Sequence, residues 1–167
     1  MVRSRSTSVN PFTVNDVRDH DVDPLFMVWL VARSTEDLLD MVLAGTDVRG
    51  SEFAIYSVLA ASPGITPTEL SRWMAAPATS VSSYVKRLER RGHVTRRPDS
   101  KDRRSYGIHL TAAGRRTHQA ARELFGPFRA RVIATLGDQQ GSVGESLLRL
   151  RRIVDDLRSD FDEAHHP

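Results

Sequence analysis

The chain has 167 residues, 40% hydrophobic and 27% charged, with a formal net charge of +3; that supports one domain, or one compact unit with appended helices, and is too short for a two-domain enzyme built on a large sheet. The absence of cysteine excludes disulfide scaffolds, cysteine zinc sites and thiolate chemistry. The longest apolar run, residues 25–32, is far short of the roughly 20 residues of a membrane span, and no apolar signal core directly follows Arg3 and Arg5, so a cytoplasmic protein without a membrane partner is expected.

Residues 1–22 mix Ser, Thr, Asn and Asp with little periodicity and read as a flexible arm. From Pro24 onward, Leu25, Val28, Ala32, Leu39 and Val42 recur at helical spacing with Thr35 filling the gap, which predicts an amphipathic helix over 24–45 ending near Gly45. A shorter helix over 51–61 would bury Phe53, Tyr56 and Leu59 or Ala60, and Ser62-Pro63-Gly64 stops it. Thr66-Pro67-Thr68-Glu69 is a capping box with proline at the first helical position. The helix it opens carries Leu70, Trp73 and Met74 and breaks at Ala75-Ala76-Pro77.

A fourth helix is predicted from about Thr79, with Thr or Ser capping its free amides, to Gly92. Its apolar face is Val81, Val85 and Leu88; the opposite face presents Ser80, Ser83, Lys86, Arg87 and Arg90. Two short alternating runs follow, 93–97 and 105–110, the second placing Tyr106, Ile108 and Leu110 on one side, with a polar hairpin tip over 98–104 between them. Thr111 can cap a long helix striped by Ala121, Leu124, Phe128, Val132 and Leu136, which Gly126-Pro127 should interrupt and kink. After a connection over 137–144, Val143, Leu147, Leu150, Val154, Leu157 and Phe161 alternate four and three apart, a seam of the coiled-coil kind.

This order predicts a mainly α fold with a small β-hairpin wing. A winged helix-turn-helix unit over 50–110 is flanked by a dimerisation helix over 24–45 and C-terminal dimerisation helices over 111–163. The terminal helices carry more apolar stripe than so small a unit can cover, so they are expected to pack together and against a second copy. A two-fold homodimer would set two recognition helices about 34–36 Å apart, matching a pseudo-palindromic operator in double-stranded DNA. Charge supports the reading: residues 72–104 hold ten basic and three acidic side chains, +7, leaving −4 for the rest. That is the footprint of a polyanion-binding segment, although a solvated helix and loop would have the same composition.

The stretch Val81-Ser82-Ser83-Tyr84-Val85-Lys86-Arg87-Leu88-Glu89-Arg90-Arg91-Gly92, then Arg96-Arg97, Asp99-Ser100-Lys101-Asp102-Arg103-Arg104 and Leu110-Thr111-Ala112-Ala113-Gly114 resembles the MarR family of bacterial transcriptional regulators. The wing string through "DRR" to "LTxxG" is its most specific part, and the order of elements agrees over about residues 24–161. The resemblance implies a homodimer that binds operator DNA, usually as a repressor, and commonly releases it on binding a small aromatic or anionic effector. Two places depart from the family pattern: His93 stands where an aliphatic residue is usual, and Ala75-Ala76-Pro77 where a glycine is frequent.

The residues expected to touch DNA are Ser80, Ser82, Ser83, Lys86, Arg87 and Arg90 on the fourth helix and Lys101, Arg103 and Arg104 in the wing. Arg103, which matches the family's wing arginine, is assigned to the minor groove, against the alternative of a pair with Asp99 or Asp102; Arg104 is expected to pair with one of those aspartates and stiffen the wing. Ser82 lies next to the buried side of its helix. Phe26, Trp29, Phe53, Tyr56 and Phe125 either line an effector pocket or are plain core. The six histidines lack metal-ligand spacing, and no nucleophile elbow, phosphate loop or isolated carboxylate pair is present, so neither a metal, a cofactor nor enzyme activity is expected. Two other functions fit the same pattern: a sequence-independent architectural DNA binder, and a winged-helix protein-interaction module.

Overall fold

The computed structural model describes residues 23–98 and 106–165. The arm over 1–22 and the greater part of the expected hairpin tip lie outside the described residues. Helix α1, Pro24–Val42, opens on Asp23, whose carboxylate accepts the Leu25 N–H at 2.9 Å, with proline in the first turn where its missing N–H goes unneeded. It ends short of Gly45, which turns the chain at φ 89°.

Helix α2, Gly50–Ala61, buries Glu52, Ile55, Tyr56 and Leu59. Tyr56 and Leu59 are buried as expected, while Phe53 is only half-buried, because Glu52, Ile55, Tyr56 and Leu59, at i, i+3, i+4 and i+7, define the inward stripe. Helix α3, Pro67–Met74, has the capping box in full, with the Glu69 N–H donating to Thr66 Oγ1 at 3.2 Å and the Thr66 N–H to Glu69 Oε2 at 2.8 Å. Leu70 is its buried anchor, and Ala75, left-handed at φ 47°, closes it. Helix α4, Ala78–Arg90, buries Val81, Val85 and Leu88. The expected Thr or Ser cap is not made: Pro77 occupies the cap position with no side-chain bond, because the helix begins one residue before Thr79.

Strands β1, Val94–Pro98, and β2, Tyr106–Leu110, pair antiparallel with Val94 opposite Leu110 and Arg96 opposite Ile108. Ile65 adds a bridge to Ile108 on the far side of β2, and Gly64 N–H donates to Ile108 O at 3.0 Å. Helix α5, Ala112–Leu136, is capped by Thr111, whose Oγ1 accepts the Gly114 N–H at 3.1 Å. It runs on through Pro127 as one helix and is not interrupted there: proline removes a single ladder bond, which 25 residues of otherwise continuous helix outweigh. A 3-10 turn, Gly137–Gln139, leads into helix α6, Gln140–His165. Gly141 and Gly144 therefore lie inside α6 and not in the expected connection, since a glycine costs a helix only about 1 kcal/mol.

The buried core is one cluster running from Leu43 to Ala121, centred on α2, α4 and the hairpin. Neither α1 nor α6 has a fully buried residue. Leu25, Phe26 and Trp29 on α1, and Leu147, Leu157 and Phe161 on α6, stand about half exposed or more. The architecture is thus a packed winged helix-turn-helix with long amphipathic helices whose apolar sides stand largely open among the described residues.

Candidate nucleic-acid interface

The right-handed turn of α4 separates its buried Val81-Val85-Leu88 line from a polar side. Ser83, Lys86 and Arg90 are exposed there, whereas Ser80 and Ser82 are half-buried. The Ser83 hydroxyl donates to Thr79 O at 2.9 Å, so its remaining capacity is as an acceptor. Thr79, Ser80, Ser83, Tyr84 and Arg87 line a shallow depression of about 340 Å³ on this side.

Arg87 is not the free side chain expected. Its Nε lies 2.8 Å from Glu52 Oε1, an ion pair without an aligned hydrogen bond, and its Cζ sits 4.9 Å from the Tyr84 ring centre. Arg91 Nη1 meets the other carboxylate oxygen at 2.9 Å and also donates to Asp47 O at 3.0 Å. The hydrogen bond to Glu52 is the main reason the Arg91 guanidinium is held above its ordinary basicity. Beside this group Tyr56 is fully buried and its hydroxyl lies 2.6 Å from His93 Nδ1; burial first, and Glu52 second among the raising influences, push the phenol up, with Arg91 opposing. The wing is tied to the same helix, since Arg96 of β1 pairs with Glu89 of α4 at 2.9 Å and lies over Tyr106 of β2.

Of the DNA-contact residues expected, the structure brings Ser80, Ser82, Ser83, Lys86, Arg87 and Arg90 onto one helix next to the hairpin. Lys101, Arg103 and Arg104, with their possible partners Asp99 and Asp102, lie outside the described residues. Sequence reasoning missed Glu52, although a carboxylate at the head of the stripe Glu52-Ile55-Tyr56-Leu59 was a visible signal that a buried cation partner would be needed.

A second concavity, about 520 Å³, opens between α2 and α5 and is lined by Phe53, Ser57, His118, Arg122, Phe125 and Arg129 among others. The Phe53 and Phe125 rings meet edge-on at 5.8 Å, and Ser57 Oγ lies 3.2 Å from His118 Nε2. Burial, and then Arg122, hold the His118 imidazole below its ordinary value. Of the expected pocket residues only Phe53 and Phe125 are in this lining; Tyr56 belongs to the core, and Phe26 and Trp29 stack on each other along α1 at 6.0 Å.

Comparison with known proteins matches residues 46–105 to the description "MarR family". The chain is similar to the HTH-type transcriptional regulator PecS of Dickeya dadantii, 29% identical over 106 residues, which are 60% of this chain and 64% of PecS. It is 24% identical over 100 residues to the multiple antibiotic resistance protein MarR of Escherichia coli, covering 60% of this chain and 69% of that protein. Among solved structures it resembles the M. tuberculosis transcriptional regulator MOSR in complex with DNA, with TM-score 0.70 and 24% identity over 82% of this chain and 99% of that one. The S. aureus MepR–DNA complex gives TM-score 0.67 and 18% identity over 80% and 99% of the respective chains. These structural likenesses establish the fold.

Proposed function

We propose that the chain, whose residues 46–105 match the MarR family, is a dimeric, sequence-specific DNA-binding transcriptional regulator of that family, acting as a repressor in the cytoplasm. The observation that carries the reading is the polar side of α4, with Ser83, Lys86 and Arg90 exposed directly beside a hairpin whose Arg96 is tied back to Glu89. In this assignment α4 enters the major groove and the wing over 98–104, led by Arg103, follows the adjacent minor groove. Two MarR-like structures of the same fold, MOSR and MepR, are complexes with DNA. The chain is a regulator and not an enzyme.

A second copy would cover the open apolar sides of α1 and α6 and set two α4 helices on one face of a pseudo-palindromic duplex. The concavity between α2 and α5 supports an effector that is both aromatic and anionic: Phe53 and Phe125 offer ring contacts, and Arg122 and Arg129 offer charge. Among the described residues no helix is long and apolar enough to cross a membrane.

The test is a binding titration of the purified protein against a palindromic duplex selected from random-sequence DNA, and against an unselected duplex at the same salt. Tighter binding of the selected site by about 10³-fold or more is expected, with affinity falling steeply as salt rises from 50 to 200 mM. Equal affinities would identify an architectural binder. Affinity for a partner protein that ignores salt, with no duplex binding, would identify an interaction module.

A further inference from the structure

Glu52 is only 1% exposed, and a carboxylate so placed is costly unless its charge is met by cations and its lone pairs by donors. It is met twice. Arg87 Nε and Arg91 Nη1 approach its two oxygens at 2.8 Å and 2.9 Å, Arg87 lying in the last turn of α4 and Arg91, one turn on, at its C-cap. A single side chain of α2 therefore clasps the recognition helix at two successive rungs, and Arg91 fastens the same rung to Asp47 O. The two arginines are held differently. Arg91 is drawn toward the loop before α2, while Arg87 is caught at Nε and laid over the Tyr84 ring.

A guanidinium has five N–H donors in a fixed fork. With Nε held against the carboxylate as an ion pair, the four Nη donors of Arg87 are left for the depression it shares with Thr79, Ser80 and Ser83, and its side chain is still 39% exposed. Resting on the reading of α4 as the recognition helix, we propose that Glu52 is a positioning residue for DNA binding, fixing Arg87 so that its Nη fork is presented to the paired acceptors of a phosphate or a base edge. The rotamer freedom that a loose arginine would lose on contact is lost already in folding, and orientation is set before the duplex arrives. Glutamine in place of Glu52 would keep the shape and remove the charge that holds the fork.

The experiment is a double-mutant cycle read as affinity for the palindromic duplex selected by the wild-type protein, at fixed salt, with Glu52→Gln, Arg87→Ala and the two combined. Each single change should weaken binding about tenfold, and the double variant should bind no more weakly than Arg87→Ala, because Glu52 acts through that side chain. Additive losses, or a Glu52→Gln protein that binds like wild type, would overturn the proposal. Thermal melting monitors folding. Should Glu52→Gln fail to fold, Glu52→Asp, which keeps the charge but withdraws it by one methylene, takes its place in the cycle with the same expectations. In the same series a shallower salt dependence in Arg87→Ala assigns its fork to a phosphate, and relaxed preference at one base pair assigns it to a base edge; either supports the proposal. A wild-type protein that selects no duplex would remove the recognition reading itself and the proposal with it, a result separate from one in which wild type binds and the cycle is additive.

Discussion

At Gly114 a single hydrogen atom decides whether the wing can join α5. A methyl group there would run into the His93 carbonyl oxygen, which is fixed by the Thr111 N–H at 3.0 Å, so neither side can retreat. Gly114→Ala should lower stability by about 3 kcal/mol, visible as a lower midpoint in denaturant with an unchanged slope. The glycine was legible in the sequence as the end of the "LTxxG" string, but its cause, the close passage of the strand entering from His93, was not. Glu52 is the opposite case: its position on an inward stripe was legible, whereas its two partners lie 35 and 39 residues away, beyond any local pattern. His118 carries a pH consequence. Its folded-state value is depressed below the ordinary 6.5 or so, so on acidification the unfolded chain binds a proton at that site before the folded one does. The stabilisation is complete above about pH 6.5 and is lost as pH falls through and below it. Wild type should therefore lose thermal stability between about pH 7 and pH 5 more steeply than His118→Gln; parallel profiles would show that the imidazole contributes nothing.

Among elements, period and punctuation together located the six α-helices and two strands of the described residues, because each has an apolar stripe or an explicit cap, whereas the 3-10 turn Gly137–Gln139 was read only as connection. Boundaries were less legible where the stop signals are weak compared with the length of the helix they would have to break, as with Pro127 in α5 and Gly141 and Gly144 in α6. The turn between α3 and α4 shows a cost directly. Ala75 adopts φ 47°, a conformation in which its Cβ crowds the following carbonyl. Ala75→Gly should raise stability by about 0.5–1 kcal/mol, measured by denaturant unfolding, and should leave duplex affinity unchanged if the relative placement of α3 and α4 is already fixed by the capping box and the buried Leu70. A destabilised variant would mean that unfolded-state entropy outweighs the relief of strain.

For the molecule as a whole, the four-three seam on α6 was legible as a stripe, and the structure shows what the stripe alone could not: the described residues leave most of it exposed, with only Leu150 and Val154 half-buried. Leu157 is 59% exposed and Leu150 half-buried. If the proposed dimer packs through this seam, Leu150→Glu with Leu157→Glu should convert it in solution from two chains to one, or unfold it, as read by analytical ultracentrifugation and far-ultraviolet circular dichroism. A stable dimer carrying both changes would place the interface elsewhere. The wing tip and the arm were readable only as composition, since short polar segments contain no periodic stripe to fix them. The junction below the wing, however, is well defined. Thr111 alone separates β2 from α5, and its N–H and hydroxyl are bonded to His93 O and Gly92 O. The hairpin therefore has no joint of its own and forms the short arm of a lever whose long arm, α5, is about 37 Å at 1.5 Å per residue. Tilting that rod by about 10° would sweep a point about 20 Å from the pivot through about 3.5 Å, close to the step from one base pair to the next, so on the proposed reading a modest swing of the helix would carry the hairpin out of phase with a DNA site.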